Sequence, residues 1–229
     1  MYIPKFNAVS DPALLFDLMR QFSFATLVTS HEGAPFATHL PFVVYPERGP
    51  QGTLVAHMAR GNMQWRDLGE AGAAGHEALV IFQGAHAYIS PSWYMDHVQD
   101  RMNVPTWNYM VVHAYGVPRL IEDERRVRDQ LRALVNQYES GFETPWTMDL
   151  PDDYLRKLLG AIVAFEIPIT RLEGKFKLSQ NRSQGDQMRV IERLLTSEDA
   201  NAQGVGAAMR QLAERRASEM ESAQAGAPA

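Results

Sequence analysis

Apolar positions along the chain change their period several times, and each change marks an element. In "SDPALLFDLMRQF", residues 10–22, Leu14, Leu15, Leu18 and Met19 share one face at helical spacing. Ser10 stands where an N-cap belongs and Pro12 in the tolerated first turn, so a helix is predicted. The pattern then switches to strand. Phe22 to Thr29 and Pro35 to Val44 flank the turn "SHEGA". "GTLVAHMA" predicts a third strand, followed at once by the short helix "RGNMQWRDL" with Asn62 as its cap. "ALVIFQG" and "AHAYIS" predict a fourth and a fifth.

"SPSWYMDHVQDRMN" reads as a loop or lid. After it, Trp107, Tyr109, Val111, His113 and Tyr115 alternate on one face of a long strand, with Asn108 on the other. Val127, Leu131, Leu134, Val135 and Tyr138 stripe a helix, and "PDDYLRKLLGAI" predicts another. A last strand, "IVAFEIPITRLEGKFKLS", carries Pro168, which predicts an edge or bulge. Ser183 then caps a helix bearing Met188, Ile191, Leu194 and Leu195, with Asp186 three residues on as its capping partner. A further helix-prone segment runs to about Met220. Runs of strands without intervening helices predict an α+β chain, mainly β with flanking helices, and disfavour a doubly wound parallel sheet.

Composition narrows the chemistry. The 229 residues hold 22 basic and 27 acidic side chains, a net of −5, which argues against a broad nucleic-acid footprint. There is no cysteine, so disulfides, thiolate catalysis and cysteine-ligated metals are excluded. No apolar run approaches membrane length and no export signal is read, so a cytoplasmic location is expected. P-loop, dinucleotide, nucleophile-elbow and H-E-x-x-H motifs are absent. The histidines have no metal-ligand spacing, and no metal site is predicted.

Four clusters remain. "GKFKLSQNRSQGD" gathers Lys175, Lys177, Ser179, Asn181 and Arg182 where a strand feeds a helix, a place that suits phosphate. A solvated face with an ordinary Ser183 cap is the alternative. "AHMARGNMQW" brings His57, Arg60, Asn62 and Gln64 to a second such junction, where Asn62 would otherwise merely cap. "VPTWNY", with Thr106 and Asn108, belongs to an aromatic wall or an interface. Thr38 and His39 lie mid-strand in "ATHLPF".

Taken in order, "MYIPKF", "GTLVAHMARGNMQW", "AYISPSWY", "VPTWNYMVVHAYG" and "GKFKLSQNRS" resemble the PaiB family from residue 1 to about 210. These are described as FMN-binding negative transcriptional regulators of protease synthesis and sporulation. The resemblance implies a six-stranded antiparallel split β-barrel over residues 1–200 with a C-terminal helical extension over 201–229. It also implies a homodimer with FMN at the subunit interface. It makes His57, Arg60, Asn62, Gln64, Thr106, Asn108, Lys177, Ser179, Asn181 and Arg182 cofactor-binding candidates, with Thr38 and His39 secondary. DNA is a partner by resemblance alone, since no helix-turn-helix or basic recognition helix is read. A flavin-dependent oxidoreductase or flavin reductase with a small-molecule substrate remains open. So does a heme-binding or heme-degrading protein of the same barrel group.

Overall fold

The computed structural model describes residues 1–95 and 103–225, with side chains to 218, so the centre of the loop or lid read from sequence lies outside the described residues. Among the described residues, nine strands form one sheet: β1 (Ala8–Val9), β2 (Phe24–His31), β3 (Ala34–Pro41), β4 (Val43–Tyr45), β5 (Thr53–Ala59), β6 (Ala78–Ile89), β7 (Thr106–Gly116), β8 (Arg119–Ile121) and β9 (Ile162–Lys177). Six helices accompany them: α1 (Pro12–Gln21), α2 (Gln64–Ala74), α3 (Glu124–Glu139), α4 (Asp152–Gly160), α5 (Gln184–Leu195) and α6 (Ala200–Ala225). The strand order is β3-β2-β6-β7-β9-β5-β4, with β1 and β8 also on β9.

The expected strand count of six is corrected to nine, on a path that is not closed. Four of the nine differ from the sequence reading for physical reasons. "ALVIFQG" and "AHAYIS" form one strand, because Gly84 is buried inside β6 and does not break it. β1, β4 and β8 span two or three residues, too few to show a period. The two ends of the path, β3 and β4, are consecutive in the chain. They are separated only by the fully buried Phe42, whose ring meets Phe82 and Phe165 edge-on.

Local chemistry sets the helix starts. Asp11, not Ser10, caps α1 by accepting from Ala13 N at 3.0 Å, with Pro12 next. Ser183 caps α5 by accepting from Asp186 N at 3.1 Å, and its hydroxyl donates to the Asp186 carboxylate at 2.9 Å, so the expected capping partner is engaged through the side chain and not through the Ser183 backbone N–H. Pro168 stands at the last rung of the β5 ladder, opposite Thr53 and free of a bulge there. Its missing N–H falls where that ladder ends.

The chain divides into two compact units. One comprises Met1, Ser10–Gln83 and Val112–Gly174; the other comprises Tyr2–Val9, Gly84–Val111 and the chain from Lys175. In the first, Met19, Leu27, Phe42, Leu54, Met58, Leu68, Phe82, Phe165 and Ile167 are the largest fully buried side chains. In the second, Tyr94, Ile89 and Leu178 do so, with Val190, Leu194, Val205 and Met209 burying the facing sides of α5 and α6.

Candidate functional site

Each unit holds one of the polar corners read from the sequence. In the first, β5 turns into α2. Asn62 accepts from Gln64 N at 3.1 Å, closing the helix start, and donates from Nδ2 to Thr38 Oγ1 at 3.0 Å. Gln64 is 1% exposed; its Nε2 donates to Thr29 Oγ1 and Phe36 O, while its buried Oε1 has no partner. The structure therefore brings Thr38, Asn62 and Gln64 together. His39 lies on the opposite face of β3 by alternation, its exposed ring stacked on Phe24 with centroids 6.4 Å apart.

Arg60 has another task. Its Nε donates to Gly160 O and one terminal nitrogen to Ile162 O, both at 2.9 Å, and its backbone N–H bonds Ala161 O at 2.8 Å. Two of its guanidinium nitrogens are thus fixing the entry to β9. Beside Arg60 and Trp65 opens a cavity of about 490 Å³, walled by Leu120, Leu159 and Val163 and edged by Glu122 and Arg156.

His57, mid-strand on β5, is half-buried with an unpartnered Nδ1, and burial holds its pKa below the ordinary 6.5. The unfolded chain then binds this proton more tightly than the folded one. Its contribution to stability is intact above 6.5 and is lost as pH falls from there through the folded-state value. His113, also held low chiefly by burial, acts in the same direction. Denaturant melts of wild type and His57→Gln between pH 8 and 5 should show a smaller loss of stability with acid in the variant, whatever His31, raised by Asp67, adds in the opposite direction to both. An unchanged slope would remove His57 from the titration.

In the second unit the junction after β9 is densely bonded. Asn108, fully buried, donates to Ser179 Oγ at 2.9 Å and contacts Met209 Sδ at 3.4 Å. Ser179 takes a left-handed φ of 61°, costly for a residue with a Cβ, and its own burial and the Asn108 bond hold it there. Lys177 Nζ donates to Trp107 O at 2.6 Å and to Thr106 Oγ1. Arg182 donates to Asn103 Oδ1 at 2.5 Å and lies over the Tyr94 ring, 4.4 Å from its centroid. Asn181 is exposed on the same turn.

Lys175, only 9% exposed, sits between the rings of Tyr2 and Tyr109, with Nζ bonded to Tyr2 O at 3.1 Å. Burial first, then Lys175 and Arg182, push the Lys177 pKa below its ordinary value. Among the described residues none of these three cations forms an ion pair. Like charges left together without a carboxylate fit a phosphate, whose arrival would relieve their repulsion. Asn103 and the approach of Lys175 to the rings of Tyr2 and Tyr109 were not legible in the sequence; Tyr94 was legible only as one of the aromatic rings that could wall a flat ligand, and Lys175 as a member of the charged junction. No group of three or more metal-ligating side chains occurs among the described residues, and no helix is long and apolar enough to cross a membrane.

Comparison with known proteins adds a lineage to this geometry. Residues 1–171 match the family described as "Putative FMN-binding domain". The chain is 39% identical over 203 residues to the Bacillus subtilis protein named "Protease synthase and sporulation protein PAI 2", covering 88% of this chain and 93% of that one. An uncharacterized Emericella nidulans protein is 32% identical over 223 residues, covering 83% and 89%. Among solved structures, the flavocytochrome of Azotobacter vinelandii superposes with a TM-score of 0.57 at 16% identity, covering 76% of this chain and 72% of that one. The FAD and heme binding protein of Mycobacterium smegmatis gives 0.57 at 18%, covering 80% and 78%. The chain shares the split-barrel fold of these two proteins.

Proposed function

Because the chain belongs to the FMN-binding family that includes the PaiB protein of Bacillus, we propose that it is a flavin-dependent regulator whose cofactor phosphate rests on Lys175, Lys177 and Arg182. The observation that carries this reading is the cluster of three cations without a carboxylate partner among the described residues, one of them lowered in pKa first by burial and then by the other two. Asn181 is exposed on the same turn, Asn108 anchors the turn through the buried Ser179 hydroxyl, and Thr106 holds Lys177. In the first unit, Asn62, Gln64 and Thr38 are hydrogen-bonding candidates taken by themselves, as a separate polar corner. His57, His39 and the free end of Arg60 are weaker ones. When bound, FMN supplies the redox chemistry, and the protein supplies binding and orientation.

The regulatory part rests on the name of the Bacillus relative, which refers to protease synthesis and sporulation. Direct DNA contact through α3 is not part of the proposal. Arg126 pairs with Glu166 at 2.7 Å, Arg128 with Glu124 at 2.7 Å, and Arg132 with Asp129 at 3.7 Å, so three of its arginines are already engaged. A cytoplasmic homodimer completes the reading. Edge strand β3 exposes Phe36, and its neighbour β2 exposes Phe24 at 67%, apolar surface suited to a second copy.

The test is the absorption and mass spectrum of ligand released from freshly purified protein, with an FMN titration of Arg182→Ala alongside. Flavin bands with the mass of FMN are expected, and affinity about tenfold weaker in the variant, as for loss of one charge-assisted hydrogen bond. A Soret band without FMN would overturn the cofactor assignment. Equal dissociation constants would remove Arg182 from the site.

A further inference from the structure

We propose that the second unit carries a separate cleft for a planar aromatic anion, such as an aromatic carboxylate. The cleft measures about 550 Å³, within the size range of small-molecule sites. One wall comes from β6 and β7. His86 and Tyr88 share a face of β6 by alternation, and Trp107 of β7 stands across from them. Tyr88 meets Trp107 edge-on with centroids 6.0 Å apart, and His86 tilts against the same indole at 6.2 Å. These contacts set the ring planes, yet Tyr88 remains 46% and Trp107 53% exposed. Trp93, from the turn Pro91–Trp93, adds a third large ring. Wide, rigid apolar rings left open to solvent inside a concavity form an unfilled stacking surface.

The other wall is the turn between α5 and α6. Residues Thr196, Ser197, Asp199 and Asn201 of this turn line the same cleft as the strands, while α6 lies against the Ala85 side of β6, where a Cβ on Gly204 would be 2.9 Å from that of Ala85. Leu194 and Ala202 form the apolar base on this side. Two charges face the cleft. Asp199 is committed to the start of α6, accepting from Asn201 N at 2.9 Å. Arg193 has no ion-pair or hydrogen-bond partner for its side chain among the described residues. Flat rings with one uncommitted guanidinium select a flat ligand bearing a negative group. The cleft does not require the FMN assignment: it uses other side chains, and the flavin reading stands or falls on Lys177 and Arg182.

The experiment is calorimetric titration of the full chain, saturated with FMN, using 2-naphthoate and its uncharged counterpart 2-naphthylmethanol. Naphthoate should bind more tightly than the alcohol. Arg193→Gln should weaken naphthoate about tenfold, the worth of a charge-assisted contact, and leave the alcohol unchanged. Tyr88→Ala should weaken both ligands, and neither substitution should alter FMN affinity. Three results would each overturn the cleft: no heat with either probe at millimolar concentration; equal naphthoate affinity in Arg193→Gln, which would leave that side chain to the C-terminal end of α5; or displacement of naphthoate by excess FMN. Loss of FMN binding in Lys177 or Arg182 variants with naphthoate binding intact would separate the two sites.

Discussion

Replacing Gly116 with alanine should destabilise the protein by about 3 kcal/mol or more, the upper range for forcing an extra carbon into a packed core. Gly116 closes β7. A Cβ built there would lie 2.2 Å from Pro168 O and 2.7 Å from Ile167 Cγ2. The obstacle is backbone, which cannot rotate away as a side-chain tip can. Nor can it retreat easily, because Pro168 is in register with Thr53 and Ile169 N bonds Gly52 O at 2.9 Å. The demand on Gly116 is therefore room for a neighbouring carbonyl; its φ is not in the left-handed range. For a chain of this length such a loss corresponds to a fall in Tm of roughly 10 °C. Gly141→Ala is the control, since nothing lies within 4 Å of its added carbon and a shift near zero is expected. Equal melting temperatures for the two variants would show that β9 yields at Pro168.

Gly116 also shows what the sequence could and could not convey. The long strand was legible because Asn108, Met110, Val112 and Ala114 alternate with the aromatics, and all four are buried; of the opposite face only Val111 is buried with them. The reason for a glycine at its end lies on β9, some fifty residues later, and has no local signature. Arg60 behaves likewise. Its position at a strand-to-helix junction reads as an anion contact, yet two of its nitrogens are taken by carbonyls 100 and 102 residues away. Parity separates Thr38 from His39: adjacent in sequence, they face opposite sides of β3, and only Thr38 reaches Asn62. The junction from Lys175 to Arg182 was legible as a concentration of charge because neighbours along a strand stay neighbours in space. Its partners Tyr94 and Asn103 are nine residues apart and some eighty residues before it, and no spacing rule joins them to it.

Reversing the charge at Lys177 should have the largest effect on the cofactor. Lys177→Glu is expected to weaken FMN about a hundredfold or more, the range for removing a desolvated charge partner and adding repulsion. Lys177→Gln, which keeps an N–H donor for Trp107 O, should lose only about tenfold. The distinction separates charge from shape, because a purely structural lysine would be served by glutamine. A new carboxylate would also pair with Lys175 and Arg182, occupying the donors that FMN needs. Thermal melts of both variants without FMN control for the strain of a carboxylate near the Trp107 carbonyl. The wild type offers an independent reading through pH. Burial, Lys175 and Arg182 hold Lys177 below the ordinary lysine value, and a bound phosphate would draw its pKa back up. FMN affinity should therefore decline with rising pH earlier than an ordinary lysine would titrate, and it should weaken with salt at neutral pH. Affinity that is flat in pH and salt, with Lys177→Glu indistinguishable from wild type, would mean that this cationic turn serves some other anion.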